Sequence, residues 1–96
     1  MKRIANVFID IDEQGRLSLY DLYLASGKDK KNDPTLWIKD QQTVELIDIF
    51  RRNSIDPVRI VSRANTTTIY VAKGIAYAYA MWIGPEFFYD ICTSIK

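Results

Sequence analysis

The chain has 96 residues, of which 48% are hydrophobic, 12% aromatic and 26% charged, and its formal net charge is +1. That length allows one domain, and that composition supports a packed core rather than disorder. A single cysteine, Cys92, and no histidine exclude an internal disulfide framework and Ser-His-Asp or Cys-His catalysis, and leave zinc without its usual ligands.

No enzymatic activity, metal or cofactor is therefore expected. The opening "MKRIANVFIDIDE" has a basic pair, but Asp10 and Asp12 interrupt its apolar residues, so it does not read as a signal peptide. The longest apolar run, Gly74 to Pro85, is shorter than the ~20 residues that span a bilayer. A cytoplasmic protein without a membrane partner is expected. Charge is uneven along the chain: residues 28–73 carry nine Lys/Arg against six Asp/Glu. The middle of the chain is thus modestly basic, as a side facing a polyanion would be.

In chain order, "NVFIDIDEQGRLSL" predicts a hairpin. Val7, Ile9 and Ile11 alternate with Phe8, Asp10 and Asp12, "EQG" turns, and Leu17 and Leu19 resume the pattern. Ser18 and Asp21 have capping-box spacing, starting a short helix "LYDLYLAS" with Leu19, Leu22 and Tyr23 on one face and Gly27 as its stop. "KDKKND" reads as a charged loop. Asp33-Pro34 is a cap followed by proline at the first helical position, and "TLWIKD" makes a short turn of helix.

A longer helix is predicted from Gln41 or Gln42 to Arg52. Its apolar set is Val44, Leu46, Ile47, Ile49 and Phe50, and its polar row is Gln41, Glu45, Asp48 and Arg52. "SIDP" should end it. "VRIVSRANTTTIYVA" predicts two strands, Val58 to Val61 and Ile69 to Val71, with Asn65 in the left-handed turn position. Gly74 precedes a helix "IAYAYAMWI", apolar on nearly every side, which Gly84-Pro85 breaks before "PEFFYDICTSI" starts another. The order ββ-α-α(α)-ββ-α-α defines an α+β domain.

Residues 18–95 carry an ordered series of motifs. They are "SLYDLYLASGK", then "NDPTLWIKDQQTVELID" with Trp37 at a fixed distance from Glu45-Leu46-Ile47, then "TTTIYVAKGIAYAYAMWIGPEF". The series, and "AMWIGPEF" most specifically, resembles the KilA-N domain found at the amino end of many phage and large DNA virus proteins. The chain departs from that pattern at the hairpin tip, where "RANTTT" replaces glycines. It also has Ala72-Lys73 where the family has His-Pro, with Gly74 as the substitute helix start.

The resemblance implies a small DNA-binding domain related to the fungal APSES domains. Its expected parts are a β-hairpin, a helix-turn-helix-like pair, a β-hairpin wing and carboxy-terminal helices. It implies double-stranded DNA as partner and a phage or prophage regulator or antirepressor, acting in the bacterial host cytoplasm, as the setting. Such domains often continue into a different carboxy-terminal domain, so residues 1–96 are expected to be one domain that can head a longer protein. Self-association or a protein partner stays open. The rival reading is a protein-interaction module on the same fold, which the near-zero net charge favours.

Three constellations are candidates for contacting DNA. Lys28, Lys30 and Lys31 are either solvated loop lysines or phosphate contacts beside the second helix's amino end, with Lys39 further along. Gln41, Gln42 and Thr43 are either ordinary exposed residues at a helix start or a reading end, since glutamine can bond adenine bidentately in the major groove. Glu45 and Asp48 would repel phosphate, so the helix is expected to offer its amino end rather than lie along the groove. Arg59 and Arg63 share a strand face with Val61, and with Asn65 and Thr66 they form either an exposed hairpin or a wing that meets phosphates or a minor groove. The aromatic set Tyr77, Tyr79, Trp82, Phe87, Phe88 and Tyr89 could stack bases but is read as core. Glu86 suits the first turn of its helix and has no partner for catalysis.

Overall fold

The computed structural model describes residues 2–53 and 56–95. The chain opens on a short antiparallel hairpin, β1 (Lys2–Ile4) and β2 (Val7–Ile9), closed by Ala5 and Asn6 at φ 50° and 65°. Two consecutive left-handed residues give a tight turn whose twist matches its strands. The alternation in β2 is as read from sequence: Ile9 is buried and Phe8 exposed, its ring under the Arg3 guanidinium at 4.6 Å.

The hairpin expected over residues 7–19 forms only at its turn end: "EQG" turns, with the Gly15 N–H on the Asp12 carbonyl at 3.0 Å, while β2 pairs with β1. Only an isolated bridge, Ile11 to Leu17, joins those two runs. β3 (Leu17–Ser18) pairs in addition with a distant strand. The Asp12 carboxylate fastens this turn by accepting the N–H groups of Gln14 and Arg16, both at 2.9 Å.

Ser18 ends β3 and caps α1 (Leu19–Ala25), its hydroxyl accepting the Asp21 N–H. Asp21 does not complete the capping box. Its carboxylate accepts the Asp10 N–H at 2.9 Å, tying the helix to the strand region before it. After α1, Gly27 and Lys28 take positive φ of 106° and 61°. A single 3-10 turn, Lys30–Asn32, lies within the loop expected there and leads into α2 (Pro34–Trp37), which Asp33 caps.

α3 (Gln41–Arg52) has the expected bounds but a rotated face. Thr43 and Ile47 are buried and Leu46 and Phe50 partly so, the i, i+3, i+4, i+7 stripe of an amphipathic helix. Val44 and Ile49 flank that stripe and are about half exposed. Apolar character alone overstated the width of the buried face. α3 ends with the Asn53 side chain donating to the Ile49 carbonyl at 2.8 Å. The break expected at Ser54 and Ile55 lies outside the described residues.

β4 (Val58–Arg63) and β5 (Thr66–Val71) pair antiparallel in unbroken register from Val58↔Val71 to Arg63↔Thr66. Together with β3 they form a sheet of order β3-β5-β4, so β4 is an edge strand. Its turn places Ala64, at φ 49°, in the left-handed conformation expected of Asn65. α4 (Lys73–Ile83) and α5 (Pro85–Ser94) follow. Gly74 lets the Phe50 ring lie against the start of α4, since a Cβ there would sit 2.6 Å from Phe50 Cζ.

The core is built where α1, α4, α5 and both sheets meet, and it includes Ile9, Leu22, Ile75, Tyr79 and Ile91, all fully buried. Tyr79 packs on Trp37 with ring centroids 5.0 Å apart and stacks on Trp82 at 6.1 Å. Tyr77 meets Phe88 edge-on and donates its hydroxyl to the Ile95 carbonyl. Two aromatics of the expected core face solvent, Trp82 in part and Tyr89 mostly. The described residues thus make one α+β domain of five α-helices and two small antiparallel sheets. Its radius of gyration of 12.5 Å is about that of a compact domain of this length.

Candidate nucleic-acid interface

The lysine loop is held from beneath. The Tyr23 hydroxyl donates to the Lys28 carbonyl at 3.1 Å, and the buried Tyr79 hydroxyl donates to the carbonyl of Asn32. Burial, helped by the charges of Asp33 and Tyr23, pushes the Tyr79 hydroxyl well above the usual tyrosine range. Lys28, Lys30, Lys31 and Lys39 are all exposed. The loop's carboxylates are turned to structural use: Asp29 accepts the Lys31 N–H, and Asp33 accepts the Thr35 N–H and hydroxyl at 2.9 and 2.8 Å. Those two bonds hold the Asp33 carboxyl below its ordinary range. The amino end of α2 therefore already holds a carboxylate.

At the amino end of α3, Asp40 is the cap residue, and its side chain makes no capping hydrogen bond. Gln41 and Gln42 are exposed. The Gln41 amide donates to Glu45 at 3.1 Å, while Gln42 lies on the rim of a shallow groove formed with Trp37, Leu46, Met81 and Trp82. Thr43 departs from its expected place. It is only 3% exposed and belongs to the packed stripe of α3, where it lines that same groove. Further along the polar row, Asp48 and Arg52 pair at 3.1 Å.

The β4–β5 hairpin presents Arg59, Val61 and Arg63 on one face, opposite Tyr70, Thr68 and Thr66. These six line a groove with Asp10 and Asp12. At its tip Arg63, Asn65 and Thr66 are exposed, and among the described residues Arg63 makes no ion pair. At its foot the chemistry changes. Arg59 lies 3.3 Å from Glu13 and 3.8 Å from Asp12, and Tyr70 donates to Asp10 at 2.6 Å. That bond, with burial, raises the Tyr70 hydroxyl above its usual range.

Arg59, Arg63 and Thr66 therefore share one groove, Gln42 lies on another, Lys28, Lys30 and Lys31 occupy the loop between α1 and α2, and Lys39 lies between α2 and α3. Asp10, Asp12, Arg16 and Tyr70 escaped the sequence reading. The available signal was Asp12 and Arg16 at i, i+4 spacing, a carboxylate and a guanidinium in a stretch taken for a plain turn.

A small α+β domain with a short helix pair, an antiparallel hairpin and an exposed arginine at the hairpin tip has the architecture of a nucleic-acid-binding module. The family model of the KilA-N domain matches residues 2–96, and the chain belongs to that family, whose members are generally DNA-binding domains. Among curated proteins and solved structures, none matches the chain. No helix among the described residues is long and apolar enough to cross a membrane.

Proposed function

We propose that this domain binds double-stranded DNA as part of a phage or prophage regulator or antirepressor in the bacterial cytoplasm. It meets the duplex with the amino end of α3 and with the β4–β5 hairpin as a wing. The observation that carries the reading is the hairpin tip: Arg63, Asn65 and Thr66 are exposed at the end of a six-residue ladder, with no carboxylate partner for Arg63 among the described residues. Gln42 supplies a base-reading side chain, and Lys28, Lys30, Lys31 and Lys39 supply sequence-independent attraction to phosphate. Gln41 is less available, since its amide is bonded to Glu45.

An electrophoretic shift against random and genomic DNA at low salt tests the proposal. Retardation at micromolar protein is expected. No shift at tens of micromolar, where even non-specific binders associate, would sink it.

A second reading has its own observation. Met81 and Trp82 are 51% and 43% exposed beside the groove that Leu46 and Trp37 line, and exposed apolar surface rimmed by polar residues also marks protein contacts. Under that reading the domain docks a host or phage protein, and Trp82→Ala abolishes the interaction while the DNA shift is absent for the wild type.

A further inference from the structure

The foot of the hairpin is built differently from its tip. Asp12 and Arg16 are nearly enclosed, with side chains 5% and 10% exposed, and they pair through Arg16 Nε at 2.7 Å. Asp12 also accepts two backbone N–H groups, so its oxygens are satisfied within the turn. Arg16 then reaches across the fold. Its other arm lies 3.4 Å from both the carbonyl and the carboxylate of Asp56, just ahead of β4. One turn further along, Arg59 approaches Glu13 and Asp12 from β4 itself.

Three carboxylates thus face two guanidiniums across the junction between the 12–16 turn and the first residues of the hairpin. No positive charge is left over for an incoming phosphate. A guanidinium beside two carboxylates would have to leave them before it could bind a polyanion, and Asp12 is too enclosed to be solvated in its place. Arg63, four residues on and on the same strand face, has no such competitor among the described residues.

We propose that this network positions the hairpin against the body of the domain and withdraws Arg59 from phosphate contact, leaving Arg63 as the cation by which the wing meets DNA. The proposal rests on the DNA-binding reading above. Arg59 is then a strut, and Asp12 the positioning residue that holds both the turn and the strut.

Salt dependence separates the two roles, because each phosphate contact contributes about 0.9 to the slope of log affinity against log salt. Arg63→Ala should reduce the slope by about that amount. Arg59→Ala should lower affinity several-fold with the slope unchanged, and it should speed amide exchange across residues 58–71 in the free protein. A slope reduction in Arg59→Ala equal to that of Arg63→Ala, or unaltered exchange in that hairpin, overturns the proposal. If Arg59→Ala fails to fold, Glu13→Gln carries the test, because the Glu13 side chain is 77% exposed. Faster exchange in β4 supports the strut, a steeper slope, meaning that Arg59 released from Glu13 has moved onto phosphate, supports the withdrawal, and unaltered exchange with an unchanged slope overturns the proposal. If the wild type binds no DNA at all, the functional reading fails while the exchange measurement still decides whether the network positions the hairpin.

Discussion

Tyr79→Phe removes one oxygen from the centre of the molecule and isolates a link between core and candidate interface. The ring is fully buried and packed between Trp37 and Trp82, and those contacts survive the substitution. What disappears is the bond from its hydroxyl to the Asn32 carbonyl. A net hydrogen bond is worth about 0.5–1.5 kcal/mol, and stranding a buried acceptor costs about 1–3 kcal/mol. The two overlap, so a loss of roughly 1–3 kcal/mol is expected. For a domain of this size each kcal/mol moves the melting midpoint by about 4–8 °C, so thermal denaturation followed by circular dichroism should show a fall of about 4–24 °C. Amide exchange should rise specifically at Asn32 and Asp33, whose N–H groups close the turn on Asp29 and Lys30. A midpoint within about 2 °C of the wild type, with exchange unaltered at those two residues, would refute the view that the core anchors the lysine loop through this bond.

Because burial disfavours its phenolate, Tyr79 holds its proton more tightly in the folded state than in the unfolded chain. Its contribution is therefore complete below about pH 10 and is lost as pH rises further, so Tyr79→Phe should show a flatter alkaline limb of stability against pH. Asp12 and Asp33 have the opposite sign. For Asp12 burial works upward but the bonds from Arg16 and Gln14 outweigh it, and both carboxyls end below their ordinary 3.8. The stability they supply is present above pH 3.8 and fades as pH falls through their folded values, and Asp12→Asn should flatten that acid limb in denaturant titrations. Gly74→Ala should lower the melting midpoint, since forcing the Phe50 ring aside costs about 1–3 kcal/mol against a gain in helix propensity of at most about 1 kcal/mol; a midpoint at or above wild type would show that the ring moves freely. In DNA titrations Gln42→Ala should cost a cognate site about 1–3 kcal/mol, and Glu45→Lys with Asp48→Lys should strengthen binding to any sequence. If none of the three changes affinity at low salt, α3 is not the reading element.

The sequence by itself determined the elements whose causes are local. Ser18 and Asp33 cap α1 and α2 because a short polar side chain can meet the free N–H groups of the next turn. Pro85 starts α5 because its ring suits the first helical position. The ordered motifs from Ser18 to Ile95 were enough to name the family. Where contacts are distant in sequence, only the tertiary structure decided. β3 bridges back to Ile11 and pairs as well with β5, and that second partner lies far along the chain. Thr43 went inside because rotation of α3 follows from what Phe50 and Ile47 pack against, and a threonine loses little by filling that stripe. The two arginines of one strand face looked equivalent in sequence. The fold brings Asp12 and Glu13, 47 and 46 residues earlier, against one of them and leaves the other open. A charge becomes a ligand-binding group or a strut according to what three-dimensional packing sets beside it, and no local pattern records that.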